Sequence, residues 1–338
     1  MKNRFPAEFG WLNRINQTTT MNFLENVSGN NNSFWKYVVT FAVAFIAAGF
    51  IGNIPLLLVV FKNCLIAGVD LTKIGEVVND PSMVGISQNF FLFLMLFAFA
   101  VGLLTIILVI KIIHKRSFSE TVNGTKTVRW NRVFTGFGVW FILVFVLFIV
   151  SYFIDPDDLI YQFELKTFIP LLFISLIFIP LQTTFEELLC RGYLAQGIGA
   201  WTKNRWLVVF IPSILFGLLH SANTEVETFG FFAAMPQYIL FGLIFGFISV
   251  LDDGIELSMG VHAANNIFCC LFVTFDASSL KTPAIFYQKT ENINILEDTI
   301  ALLLLGLLAF IFFAKKYKWN FAVMNKKVRS GEVCNFIQ

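Results

Sequence analysis

Charge is what this sequence has least of. Of its 338 residues only 14% are Asp, Glu, Lys or Arg, while 57% are hydrophobic and 42 are Phe. A soluble domain carries about 25% charged residues, so too few polar side chains are present to cover a water-facing surface. The shortage excludes nucleic-acid binding, secreted disulfide scaffolds and cytosolic metabolic folds, and points to an integral membrane protein. Cysteine is also sparse: Cys64, Cys190, Cys269, Cys270 and Cys334 show no metal-ligand spacing and read as small buried hydrophobes. The polar, Asn-rich residues 1–34 hold no short apolar core with a small-residue cleavage site, so no cleavable signal peptide is expected. The first long apolar run is then expected to remain as a spanning helix.

Eight apolar runs approach the roughly 20 residues that a helix needs to cross a bilayer. They cover about 35–61, 89–113, 132–154, 168–198, 206–222, 236–251, 256–275 and 295–314. The expected fold is all-α, a polytopic transmembrane bundle of about eight spans. Residues 1–34 are expected to form a flexible polar segment, 35–314 the membrane domain, and 315–338 a basic tail held at anionic lipid heads. An even span count puts both termini on one side, which then collects 18 Lys and Arg. The other side holds five, Lys62, Lys73, Lys166, Lys281 and Lys289, with Arg191 set aside as intramembrane. That bias places both termini in the cytoplasm, as expected for a protein of the cell membrane.

Polar residues inside such runs are expensive and mark functional sites. Three clusters stand out: Phe185-Glu186-Glu187 with Arg191-Gly192, Phe216 with His220, and His262 with Asn265-Asn266. The chain has three histidines, and two of them lie here. Glu187 and Arg191 are four apart and share a helix face as a pair. Glu186 is turned about 100° away from Glu187 and is free to act as a general base. His262 and Asn266, also four apart, present two polar tips to one side. Counting ~1.5 Å per residue from the cytoplasmic helix ends puts His220 at ~21 Å, Glu186 at ~20 Å, Asn266 at ~16 Å and His262 at ~10 Å. These depths permit one shared site. Taken singly, each cluster could be a structural ion pair or interhelical glue; three in order are harder to read that way. No His-Glu-x-x-His helix, Gly-Asp dyad or Gly-x-Ser-x-Gly elbow is present.

Glu186-Glu187-x-x-x-Arg191-Gly192, Phe216-x-x-x-His220 and His262-x-x-x-Asn266 resemble, in order, the three motifs of the CPBP family of intramembrane proteases. That family comprises type II CAAX prenyl endopeptidases and the bacteriocin-processing Abi group. The likeness covers about 168–275, the protease-like core, while residues 1–167 carry no motif. It implies an endopeptidase in which Glu186, helped by His220, activates a water while His262 and Asn266 face the oxyanion. Glu187 and Arg191 would be the supporting pair. The implied partners are a peptide or protein substrate, lipidated in the prenyl branch and reaching the bilayer from the cytoplasmic side, and membrane lipids, with no nucleic acid. No cofactor is the preferred reading, since Asn is a poor zinc ligand and a good donor. Zn2+ held by Glu186, His220 and His262 is the alternative. Two rival functions remain open at this point: a catalytically silent scaffold or immunity protein of the same fold, and a transporter carrying protons on Glu186 and Glu187.

Overall fold

The computed structural model describes residues 22–26 and 32–329. Among them, eight helices have 15 residues or more: α1 (Phe34–Ala67), α2 (Gln88–Ile113), α3 (Trp130–Ile154), α4 (Leu165–Thr202), α5 (Arg205–Leu219), α6 (Phe231–Leu251), α7 (Glu256–Leu271) and α8 (Ile295–Tyr317). The fold is all-α, and the chain is an integral membrane protein. Eight helices lie where eight apolar runs are read. Six of them, all but α5 and α7, are long and apolar enough to cross a membrane. With 15 and 16 residues, α5 and α7 reach only ~22–24 Å.

The differences in helix ends have local causes. The fifth run was expected to continue to residue 222, but α5 stops at Leu219. There the His220 ring folds back and Nδ1 bonds the Phe216 carbonyl at 2.7 Å. At its other end Asn204 caps α5 by accepting from Trp206 N and Leu207 N. The seventh run was expected to reach residue 275, but α7 gives way after Leu271 to a short strand. Strands β1 (Leu159–Tyr161), β2 (Val273–Thr274) and β3 (Phe286–Gln288) form a small sheet in the order β1-β3-β2, β3 antiparallel to β1 and parallel to β2.

α7 is packed between α3 and α4, and small residues set the closest approaches. Gly136 of α3 faces the Leu257 carbonyl and Gly260 of α7 faces the Val133 carbonyl, so a Cβ at either site would collide with partner backbone. Such close backbone contact is how helices associate in lipid, where no hydrophobic gain separates protein from solvent. α2 lies against α4, α6 joins α5 to α8, and exposed Phe, Leu and Ile side chains cover the outside of α1, α3 and α8.

Both described ends of the chain meet at one end of the bundle, called here the inner end. Asp253, in the left-handed region (φ 56°) of the α6–α7 turn, accepts from Asn22 N at 2.8 Å and Phe23 N at 2.9 Å. Phe23 and Leu24 are buried there. The expectation of a flexible segment over 1–34 otherwise falls mostly outside the described residues. Asp252, buried, meets Arg132 at 3.0 Å, Arg129 at 3.5 Å and the Trp319 indole at 3.0 Å. Glu256, also buried, pairs with Arg129 at 2.6 Å. These three carboxylates lie near the mouth of α7, but they tie elements together. The tail packs back on the bundle through Trp319, Val323, Met324 and Val328, leaving Lys326 and Lys327 exposed.

Candidate active site

The chemistry-bearing side chains come from α4, α7 and the end of α5. α4 is α-helical to Glu187 and then widens into a π-turn over Leu188–Leu194. Such turns are rare and gather at functional sites. Across the widened turn Arg191 still reaches Glu187, at 2.8 Å. The guanidinium rests on the rings of Phe216 and Phe245, 4.0 and 5.2 Å from their centroids. Glu187 is fully buried and takes a second donor, His262 Nδ1, at 3.0 Å. A carboxylate without water needs both partners, since an unpaired buried charge costs several kcal/mol.

Glu186 points elsewhere. Its Oε1 accepts from Gln182 Nε2 at 2.7 Å, one turn earlier on α4. Its Oε2 faces His262 Nε2 at 3.5 Å and has no hydrogen-bond donor. Gln182 in turn accepts from Asn266 Nδ2, Asn266 from Asn265 Nδ2, and Asn265 from the Trp140 indole, each at 3.2 Å. A ladder of amides thus runs from α3 through α7 to the Glu186 carboxylate, and His262 links Glu186 with the buried Glu187–Arg191 pair.

His220 stands at the C-cap of α5. Because Nδ1 donates to the Phe216 carbonyl, Nε2 is left as the ring acceptor. The ring stacks on Tyr238 of α6 with centroids 4.7 Å apart, and the Tyr238 hydroxyl accepts from Asn223 at 3.0 Å. Glu186 and His220 both line a chamber of about 380 Å³ whose walls are Phe45, Phe91, Met95, Phe99, Phe185 and Phe216. His262 and Asn266 are not among its lining residues; they reach Glu186 from the protein side. The structure therefore brings Glu186, His262, Asn266, Glu187 and Arg191 into one bonded network, with His220 lining the same chamber as Glu186.

Three contributors escape the sequence reading. Gln182 is the side chain that holds Glu186, and its signal was available: a polar residue one helical turn before Glu186 in an apolar run. Tyr238, under His220, gives no signal among so many aromatics. The third is the chamber wall. Residues 1–167 carry no motif, yet α1 and α2 supply Phe45, Asn53, Phe91 and Phe99. α1 has its own π-turn there, Ala47–Ile51, with Asn53 Nδ2 donating to the Gly49 carbonyl at 3.0 Å.

The zinc alternative would need Glu186, His220 and His262 to converge. Among the described residues no group of three His, Cys, Asp or Glu side chains is arranged to hold a metal ion. The Phe216 ring packs against both imidazoles, 4.4 Å from His220 and 6.0 Å from His262, and His262 Nδ1 is committed to Glu187. As placed, these residues do not fit the metal.

Residues 165–268 match the family described as type II CAAX prenyl endopeptidase Rce1-like. An uncharacterised protein of Bacillus subtilis (strain 168), YyaK, is 32% identical over 254 residues, which is 75% of this chain and 82% of that relative. No solved structure matches the chain.

Proposed function

This chain belongs to the CPBP family of Rce1-like intramembrane proteases, and from that premise we propose that it is an endopeptidase using a water activated by Glu186. Its substrates are peptides or proteins associated with the membrane, with an apolar segment beside the scissile bond. The observation that carries the reading is the Glu186 carboxylate: one oxygen is held by Gln182, the other has no donor, and the residue borders a chamber shared with His220.

The reaction follows from these contacts. A water in the chamber beside Glu186 gives a proton to the carboxylate as its own oxygen attacks the substrate carbonyl carbon. His220 Nε2, on the same chamber, accepts from that water and orients it. The tetrahedral species collapses as the C–N bond breaks, and the proton returned from Glu186 leaves on the new amine. His262, 3.5 Å from Glu186 and bonded to Glu187, holds the carboxylate and offers a route for its proton. The resemblance gives His262 and Asn266 an oxyanion role. Their contacts add a positioning role, because Asn266 donates one N–H to Gln182 and His262 Nδ1 is bonded to Glu187. The apolar walls suit bulky hydrophobic side chains or a lipid chain, and the setting is the cell membrane.

The test compares protein termini in membranes of cells carrying the wild-type chain and Glu186→Gln. The variant keeps the volume and the contact to Gln182, so it should fold and accumulate normally. Removing a general base costs roughly 10²–10⁴-fold in rate, so the new termini present in the wild type should vanish. Termini unchanged at equal protein level would refute the proposal.

A further inference from the structure

The end of the bundle opposite the chain termini is where the reactive carboxylate is reachable. A second cavity of about 220 Å³, lined by Asn79, Gln88, Ala222, Asp276, Ser279 and Lys281, shares Val78, Phe91, Met95 and Asn223 with the chamber that holds Glu186. Asn79, Ala222 and Asp276 are exposed, so this vestibule meets the surface. Along α2 the path runs from Gln88 at the helix start to Phe99, whose ring touches Phe185 beside Glu186. That is 11 residues, ~17 Å. It exists because α5 is short: the chain leaves α5 at His220, and the following loop carries Asn223 and Thr224 into the vestibule wall. In the other direction the described residues are packed together. Leu188 to Tyr193 are all buried, as are Gln196, Asp252 and Glu256, and the docked Phe23–Leu24 and Trp319 close the inner end.

Resting on the hydrolytic reading above, we propose that substrate enters from the face opposite the termini, which the distribution of Lys and Arg makes the outer face of the membrane. This reverses the cytoplasmic approach that the resemblance implies. The occupant is an extended peptide segment displayed at the outer leaflet, with apolar residues in the aromatic chamber and flanking backbone in the vestibule. The rim favours a peptide over a lipid headgroup. Lys281, the one cation among its described lining residues, is already paired with Asp276 at 2.7 Å, leaving little for a phosphate. Gln88 and Asn79 offer the mixed donors and acceptors that backbone amides use.

The experiment reads sidedness without needing activity. In full-length chain with its five cysteines replaced by alanine, single cysteines are introduced as Asn223→Cys, Met95→Cys and, at the inner end, Lys126→Cys. Intact cells are treated with a membrane-impermeant cationic thiosulfonate, and free thiol is then counted. The proposal expects Asn223→Cys and Met95→Cys to lose their thiol in intact cells, and Lys126→Cys only after permeabilisation. Lys126→Cys reacting from outside would overturn it, as would Asn223→Cys and Met95→Cys reacting only after permeabilisation or from neither side. Ala222→Cys replaces any variant that fails to accumulate. Because labelling is independent of Glu186, a failure here is distinct from unchanged termini in Glu186→Gln cells.

Discussion

The candidate site depends on one carboxylate being held still while its neighbour is neutralised. Glu187 belongs to Arg191 and His262, so Glu186 is left with Gln182 on one oxygen and, on the other, no hydrogen-bond donor, in a residue that borders the chamber. Gln182 touches no substrate in this reading; it positions Glu186 and passes on the restraint of Asn266. Gln182→Met keeps the side chain's length and removes both bonds. A hydrogen bond to a charged group is worth about 1.5–3 kcal/mol, so kcat should fall about 10- to 100-fold while KM stays within about twofold. A variant with normal kcat, or with KM raised and kcat intact, would assign Gln182 to packing alone. The three motif clusters were legible at this scale because charge in an apolar run is conspicuous. Gln182 was overlooked because an amide there carries no charge to weigh, although it sits four residues before Glu186.

At the level of helices, the positions of all eight were readable from apolar runs, and their ends and irregularities were not. Hydropathy says nothing about the π-turn at Leu188–Leu194 or the one at Ala47–Ile51, since a helix in lipid is apolar all round and gives no phase. It likewise missed that α5 ends at His220, where a side chain competes for a backbone carbonyl. The packing of α7 was hidden for a different reason: Gly260 is one glycine among 22, and only its partner gives it meaning. A Cβ there would meet the Val133 carbonyl and the Phe137 amide, main-chain atoms that cannot rotate away. Gly260→Ala should therefore separate α3 from α7, at a cost of about 1–3 kcal/mol or more, and displace His262 two residues on. Gly138→Ala on α3, where an added Cβ meets nothing within 4 Å, is the matched control. Thermal unfolding of both in detergent decides: equal midpoints would mean that the α3–α7 contact is not as close as described.

On the scale of the whole molecule, the described residues at one end are tied together by charge, and the other end carries the vestibule. The inner tie joins the first described residues, the α6–α7 turn, the start of α3 and the tail, and its buried centre is Asp252. Burial pushes the Asp252 carboxyl up to about 6, against the pull of Arg129 and Arg132. A carboxyl that holds its proton more tightly when folded stabilises the fold below its ordinary value of about 4. That contribution is lost as pH rises through about 6. Glu25 and Asp253, also raised by burial, act in the same direction and remain in a single variant. In Asp252→Asn the amide oxygen can still accept from Trp319, but nothing titrates at that position. The unfolding midpoint of the wild type should therefore fall from pH 4 to pH 7 more steeply than that of Asp252→Asn. The difference between the two curves, which cancels the shared contribution of Glu25 and Asp253, should be centred between pH 4 and 6. Parallel curves across that range would mean that Asp252 is not held away from water, and the inner end would then not be the dry, closed face from which substrate is excluded.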